Sequence, residues 1–292
     1  MSGSTSRLLS VIAIAGLLSS CATQIQMSCA VPSRVSLPRG TALAIKAQES
    51  STGREIQAAL SQELQQGLFY TISPDAEYQI QISEADESLK IKSFFLIADG
   101  FFLDTETELK TRINLSSKTN SSYGYSQQYR VNSDDHDDYV EALCHEIAID
   151  LQPHRLIYTE KLDAPKENPA FEQAADYCKG GMWQHAAKEA EKAVQLTPHE
   201  PEAHYLQGLI QRQLENYDAS NTCFDKAYQL KPDARYAKAI KINKLMQMGA
   251  RHVRHQMQFS GSDEAAFNKG TLPAYIKKKD TPWTQLFVPL NL

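Results

Sequence analysis

The chain has 292 residues, 22% of them charged, with 30 Lys and Arg against 35 Asp and Glu, a formal net charge of −5 and a sequence pI near 5.9. A mildly acidic chain lacks the electrostatic footprint of a generic nucleic-acid binder, so no nucleic-acid partner is expected. Beyond the N-terminus no run approaches about 18 consecutive apolar residues, which argues against further membrane-spanning helices, and the length suits two domains with adequate cores.

Residues 1–20 read as a targeting signal. Arg7 precedes a small and apolar run from Leu8 to Leu18. That run is too short to cross a hydrocarbon layer of about 30 Å as a helix, but it suits the centre of an export signal. It ends in Leu18, Ser19, Ser20 and Cys21. This ending resembles the lipobox of bacterial lipoproteins. The resemblance implies cleavage before Cys21, acylation of Cys21 and a mature chain tethered in the cell envelope. Ala22 stands where the enterobacterial members retained at the inner membrane carry Asp, which points to the outer membrane, facing the periplasm. Several acyl chains, at about 0.8 kcal/mol per buried CH₂, hold a protein lastingly. The alternative is an ordinary secretory peptide cut after a small residue.

Residues 21–40, with Pro32, Pro38 and Gly40, read as a lipidated tether. A sheet domain is expected over 41–160. Ala42 to Lys46 suits a strand, and Thr52 with Glu55 forms a capping box ahead of Ile56, Ala59, Leu60 and Leu64 on one helical face, closed by Gly67. Strands follow at Leu68 to Ile72 and around Ile80 and Ile82. Lys90 to Phe102 suits one or two buried strands broken at Asp99 and Gly100. Alternation through Leu109 to Leu115 and Tyr123 to Val131 predicts an antiparallel hairpin. A helix over about 137–151 buries Val140, Leu143, Ile147 and Leu151. The element order weakly resembles the α/β domain of lipoproteins such as the curli secretion factor and the activators of penicillin-binding proteins.

Residues 167–250 carry a repeat. Tyr177, Gly181, Trp183, Ala186, Ala193, Leu196 and Pro198 recur 34 positions on as Gln211, Glu215, Tyr217, Ser220, Ala227, Leu230 and Pro232. Period and residue types resemble the tetratricopeptide repeat, a pair of antiparallel helices per unit, with Ala237 to Met248 as a capping helix that ends at Gly249. The expected fold is therefore α+β, an N-terminal antiparallel sheet with two helices followed by an all-α repeat domain. Residues 251–292 form an aperiodic tail, which either docks on one of the domains or leaves the repeats open.

Such repeats present a curved surface rather than chemistry. By the resemblance the concave wall maps onto Asn168, Phe171, Lys179, Tyr205, Leu209 and Arg212. Lys179 and Arg212 would hold carboxylates, and Phe171 and Tyr205 apolar side chains, of an envelope protein or peptide partner. No catalytic residue, cofactor or metal is assigned. Cys144 and His145 are adjacent on a helix and so point about 100° apart. Asp134 to Asp138 suit a helix N-terminus better than a cation. Met246, Met248, His252, His255 and Met257 would suit copper but sit in a core-like pattern. Pairing among Cys29, Cys144, Cys178 and Cys223 stays open. The expectation is a non-enzymatic, membrane-anchored adaptor in envelope biogenesis. The alternatives are an oligomeric export component and a periplasmic metal binder.

Overall fold

The computed structural model describes residues 23–67, 69–97, 100–132, 138–165, 167–258, 272–277 and 281–287. Cys21 and the signal segment lie outside the described residues, as do 134–137 of the acidic run. Among the described residues no helix is long and apolar enough to cross a membrane.

The architecture is mixed α+β, with strands from the start of the described chain almost to its end. The first sheet domain runs β2 (Ala42–Ala47), α1 (Ser51–Gln66), β3 (Thr71–Ile72), β4 (Tyr78–Ile97), β5 (Gly100–Ser117), β6 (Gly124–Asn132) and α2 (Tyr139–Leu151), with strand order β3-β2-β4-β5-β6. The expected hairpin of β5 and β6 is present, Leu109 facing Val131 and Leu115 facing Tyr125. The sheet is not purely antiparallel, however. β2 pairs parallel with both β3 and β4, because α1 intervenes and a helical crossover returns the chain in the same direction. The cap of α1 also differs from the expected box: Ser50, not Thr52, accepts from the Gly53 N–H at 2.9 Å. Ile56, Leu60 and Leu64 of α1 and Leu143, Ile147 and Leu151 of α2 pack on Ile80, Ile82, Leu109 and Ile113 as one core.

Part of the expected tether is a strand. Thr23–Val31 forms β1, antiparallel to β7 (His154–Leu162), with Ile25 opposite Glu160, Met27 opposite Tyr158 and Cys29 opposite Leu156. Alternation of Ile25, Met27, Cys29 and Val31 with Gln24, Gln26 and Ser28 is the period-two signature of a half-buried strand. β7 thus leaves the first domain, and the boundary expected at 160 falls inside a strand that belongs with the helices.

Five helices follow: α3 (Pro169–Lys179), α4 (Trp183–Leu196), α5 (Pro201–Gln213), α6 (Tyr217–Leu230) and α7 (Ala234–Gln258). α4 and α6 begin 34 positions apart at Trp183 and Tyr217, as the repeat requires. The turns before them match as well. Gly181 has φ 70°, and at the equivalent position Glu215 is held at φ 63°, a left-handed conformation that glycine adopts at less cost. Within the stack, an added Cβ at Gly208 would come within 2.5 Å of the Phe224 ring, so only glycine permits that approach of α5 to α6.

α7 does not stop at Gly249 but runs to Gln258. Gly249 marks a contact instead: a Cβ there would meet the Phe287 ring at 2.4 Å. The tail docks in part, against α7 and β7. β8 (Ala274–Ile276) adds parallel to β7, and the short α8 (Trp283–Leu286) brings Trp283 edge-on to Tyr158 at 4.9 Å. Gly249→Val is accordingly expected to undock Phe287, at a cost of about 2 kcal/mol for exposing one large ring, while leaving α3 to α6 folded. Limited trypsinolysis should then cut faster at Lys277 with no loss of helical circular dichroism.

Cys144, Cys178 and Cys223 are free thiols, and Cys29, Cys144 and Cys178 are buried. Burial pushes the Cys144 and Cys178 thiols up to about 12 and Cys223 to about 11, so all three stay protonated and unreactive near neutrality.

Candidate functional site

The residues expected to line an open groove do not form one. Phe171, Leu209, Tyr205, Asn168 and Arg212 are each between 0 and 2% exposed. The occupant is the β1–β7 ribbon, which lies against α3, α5 and α7 and shares one core with them through Ile25, Met27, Leu156 and Tyr158. Polar heads on the helices are consumed by the ribbon and by neighbouring helices. Tyr205 OH donates to Glu160 Oε2 at 3.2 Å, and the Arg212 guanidinium pairs with Glu160 at 3.7 Å. Arg212 also donates to Asn243 Oδ1 at 3.1 Å and to the Ala239 carbonyl at 2.8 Å, and it stacks over Phe224. Gln213 receives the Ser28 N–H at the ribbon edge, at 3.0 Å. Asn168 caps α3 by accepting from the Phe171 N–H at 3.0 Å. Lys179 alone of the six is exposed, in an i,i+3 pair with Asp176 at 2.8 Å.

The other sequence candidates are separated by the fold. Cys144 Sγ points to the Ile56 carbonyl at 3.6 Å, whereas His145 Nδ1 lies 3.2 Å from Glu63 Oε1, about two turns further along α1. Asp138 caps α2, accepting from the Glu141 N–H at 2.9 Å. Met246 is fully buried and receives the Tyr158 hydroxyl at 3.8 Å, while Met248 is exposed and His255 lies further along the helix surface. Among the described residues no group of His, Cys, Asp and Glu has a metal-binding arrangement.

A cavity of about 780 Å³ lies elsewhere, between the two halves of the molecule. α2 and the outer strand β6 form one wall, and the start of β7, the segment after β1 and the tail form the other. Apolar Val31, Ile149, Leu156 and Leu286 alternate with Arg34, Arg130, Glu141 and Lys277 around it. Two partly buried networks hold the walls together. In one, Arg34 Nε meets Asp150 Oδ1 at 2.9 Å, and Tyr129 and Tyr125 donate to Asp150 Oδ2 at 2.8 and 3.1 Å. Burial raises the Asp150 carboxyl above its ordinary range, against the opposing pull of Arg34, and raises both tyrosines. In the other, Glu63 accepts from His145 and from Tyr275 OH of the tail at 3.1 Å. The His145 hydrogen bond holds Glu63 below the usual carboxylate range. A cleft at a domain junction with convergent polar groups is the common setting for ligand and partner recognition.

No family model matches the chain, and no curated protein does. Among solved structures it is similar to a minor lipoprotein from Acinetobacter baumannii, at 8% identity and a TM-score of 0.29, over 39% of this chain and 92% of that one. The PelC dodecamer from Paraburkholderia phytofirmans matches at 14% identity and a TM-score of 0.26, over 44% and 98%. An uncharacterized lipoprotein B from Nitrosomonas europaea matches at 18% identity and a TM-score of 0.26, over 39% and 83%.

Proposed function

We propose that this is a bacterial envelope lipoprotein, acylated at Cys21 and held at the outer membrane. In this reading it acts as a non-catalytic adaptor whose partner surface is the cleft between α2, β6 and the tail. The tetratricopeptide-like stack then serves as the scaffold that seats β1 and β7. The observation that carries this reading is the exchange of surfaces: the concave face is filled by the chain's own ribbon, while the junction keeps a cavity of about 780 Å³. Photo-crosslinkers placed singly at Gln128, Ala142 and Lys179 in intact envelopes test it. Adducts to one protein from the two cleft positions, and none from Lys179, are expected; the reverse pattern overturns the adaptor surface. Cys21→Ala should abolish incorporation of labelled palmitate and release the protein to the soluble fraction, and a labelled Cys21→Ala chain overturns the anchor.

A second reading, self-assembly as an export component, is favoured by the β4–β5 arm. Among the described residues β2 and β6 pair with the part of this hairpin nearest the sheet, and pairing of β4 with β5 continues without them from Thr107 and Leu89 to Gly100 and Ile97. Its distal sequence, Phe94 to Ile97 and Phe101 to Leu103, is apolar. A monomer at every concentration in detergent would count against assembly.

A further inference from the structure

The chain is acidic overall, yet α7 carries Arg235, Lys238, Lys241, Lys244, Arg251 and Arg254 and no acidic residue. Arg235 is neutralised by Glu202 and Asp163. Lys238, Lys241 and Lys244 are exposed and have no ion-pair partner among the described residues. Lys238 and Lys241 face a cavity of about 390 Å³ between α7 and the turn into α8, whose wall also includes Lys277, Pro282 and Trp283. No carboxylate lines it among the described residues. Lys277 Nζ lies 5.1 Å from the centre of the Trp283 ring and donates to the Thr281 carbonyl at 2.7 Å, which fixes one ammonium at the rim. Ile242 and Leu245 supply an apolar side. Clustered ammonium groups beside an indole and aliphatic carbons match a phosphate that is joined to an apolar body.

The position of this cavity selects the source of the phosphate. Arg235, at the first turn of α7, donates to the Lys161 carbonyl at 3.4 Å, and Lys161 pairs with Gln24 of β1. Cys21 is three residues before Gln24, a reach of about 10 Å. Lys238 and Lys241 follow Arg235 by about 4.5 and 9 Å along the helix. Because β1 is already ordered at Thr23, an acylated Cys21 leaves no long tether, and the start of α7 is drawn towards the bilayer.

We infer that Lys238, Lys241 and the Trp283 cavity bind the phosphate headgroup of an anionic phospholipid in the membrane that holds the anchor, an inference that rests on the lipoprotein reading for its geometry. The site fixes the orientation of the protein on the membrane, with the start of α7 towards the bilayer.

Co-sedimentation of the Cys21→Ser chain with phosphatidylcholine vesicles, with and without phosphatidylglycerol, tests the site without acylation. Binding is expected only with phosphatidylglycerol. Lys238→Gln with Lys241→Gln should weaken it about 30-fold, on the scale of one surface charge per basic residue. Lys188→Gln with Lys192→Gln, the same charge change on α4, should leave it unaltered. In a Trp183→Phe background, which keeps Trp283 as the chain's one tryptophan, emission should shift to the blue on adding phosphatidylglycerol vesicles. Equal loss from the α4 pair, equal binding to neutral vesicles, or saturable binding of inorganic phosphate that displaces the vesicles would each overturn the lipid site. Palmitate labelling of the wild-type chain tests the anchor separately, so the two failures are distinguishable.

Discussion

Arg212→Ala is expected to lower the stability of the fold by about 3 to 5 kcal/mol, the cost of breaking a buried charged network from one side. The guanidinium is 2% exposed and is engaged by Glu160 of β7, Asn243 and the Ala239 carbonyl of α7, and the Phe224 ring of α6. Its removal leaves the Glu160 carboxylate without its cation and the Ala239 carbonyl without its donor. It also opens a void where ribbon, α5 and α7 meet. Had Arg212 lined an open groove, truncation would cost no more than an exposed side chain, within about 0.5 kcal/mol. Lys179→Ala provides that comparison, since its pair with Asp176 is exposed and worth little. Urea unfolding of both variants decides the matter. A change below about 0.5 kcal/mol for Arg212→Ala would mean that β1 and β7 do not occupy the concave face.

That contrast also explains how far the chain could be read in advance. Local signals were legible. The 34-residue ruler placed α4 and α6 because each unit repeats its own small and aromatic positions, and the alternation in Leu109 to Leu115 and Tyr125 to Val131 placed β5 against β6. What failed was non-local. β1 contains an alternating apolar set, but Pro32 and Pro38 after it read as linker chemistry, and its partner β7 lies far along the chain with Arg155, Glu160 and Lys161 interrupting its pattern. Once that pairing was missed, the concave face had no visible occupant, and Tyr205 and Arg212 read as waiting for a ligand. Their residue types were informative about function of some kind: both anchor an interface, but within the same chain. The cleft was illegible for the same reason, because its walls come from α2, β6, β7 and the tail, which only the β1–β7 pairing brings together. Gly249 misled in a simpler way, since a glycine near a helix end signals a stop unless a ring such as Phe287 needs the space.

The junction should also be sensitive to acid, through His154. Its ring is 1% exposed, with Nδ1 at 3.3 Å from the Gln152 carbonyl and Tyr275 of the tail standing edge-on at 5.3 Å. Burial pushes the imidazole from its usual 6.5 down to about 4. The unfolded chain therefore takes up a proton near pH 6.5 that the folded chain refuses until about pH 4. Between those values the unfolded state binds more protons, so the stability held by neutral His154 is complete above about 6.5, declines as pH falls, and is gone near 4. That gap is worth about 3 kcal/mol. Asp150 and Glu202 act with the opposite sign, since burial raises both carboxyls and their folded forms protonate first on the way down. The wild-type profile alone mixes these contributions, and His154→Gln separates them while keeping a donor for the Gln152 carbonyl. Urea unfolding at pH 7 and pH 4 should show the wild type losing about 3 kcal/mol more than His154→Gln. Parallel profiles would mean that His154 titrates alike in both states and is not held neutral. Because His154 lines the cleft and packs on Tyr275, the loss should appear first as release of β8 from β7, with the backbone amides of Ala274–Ile276 exchanging with solvent at acid pH before those of the helices.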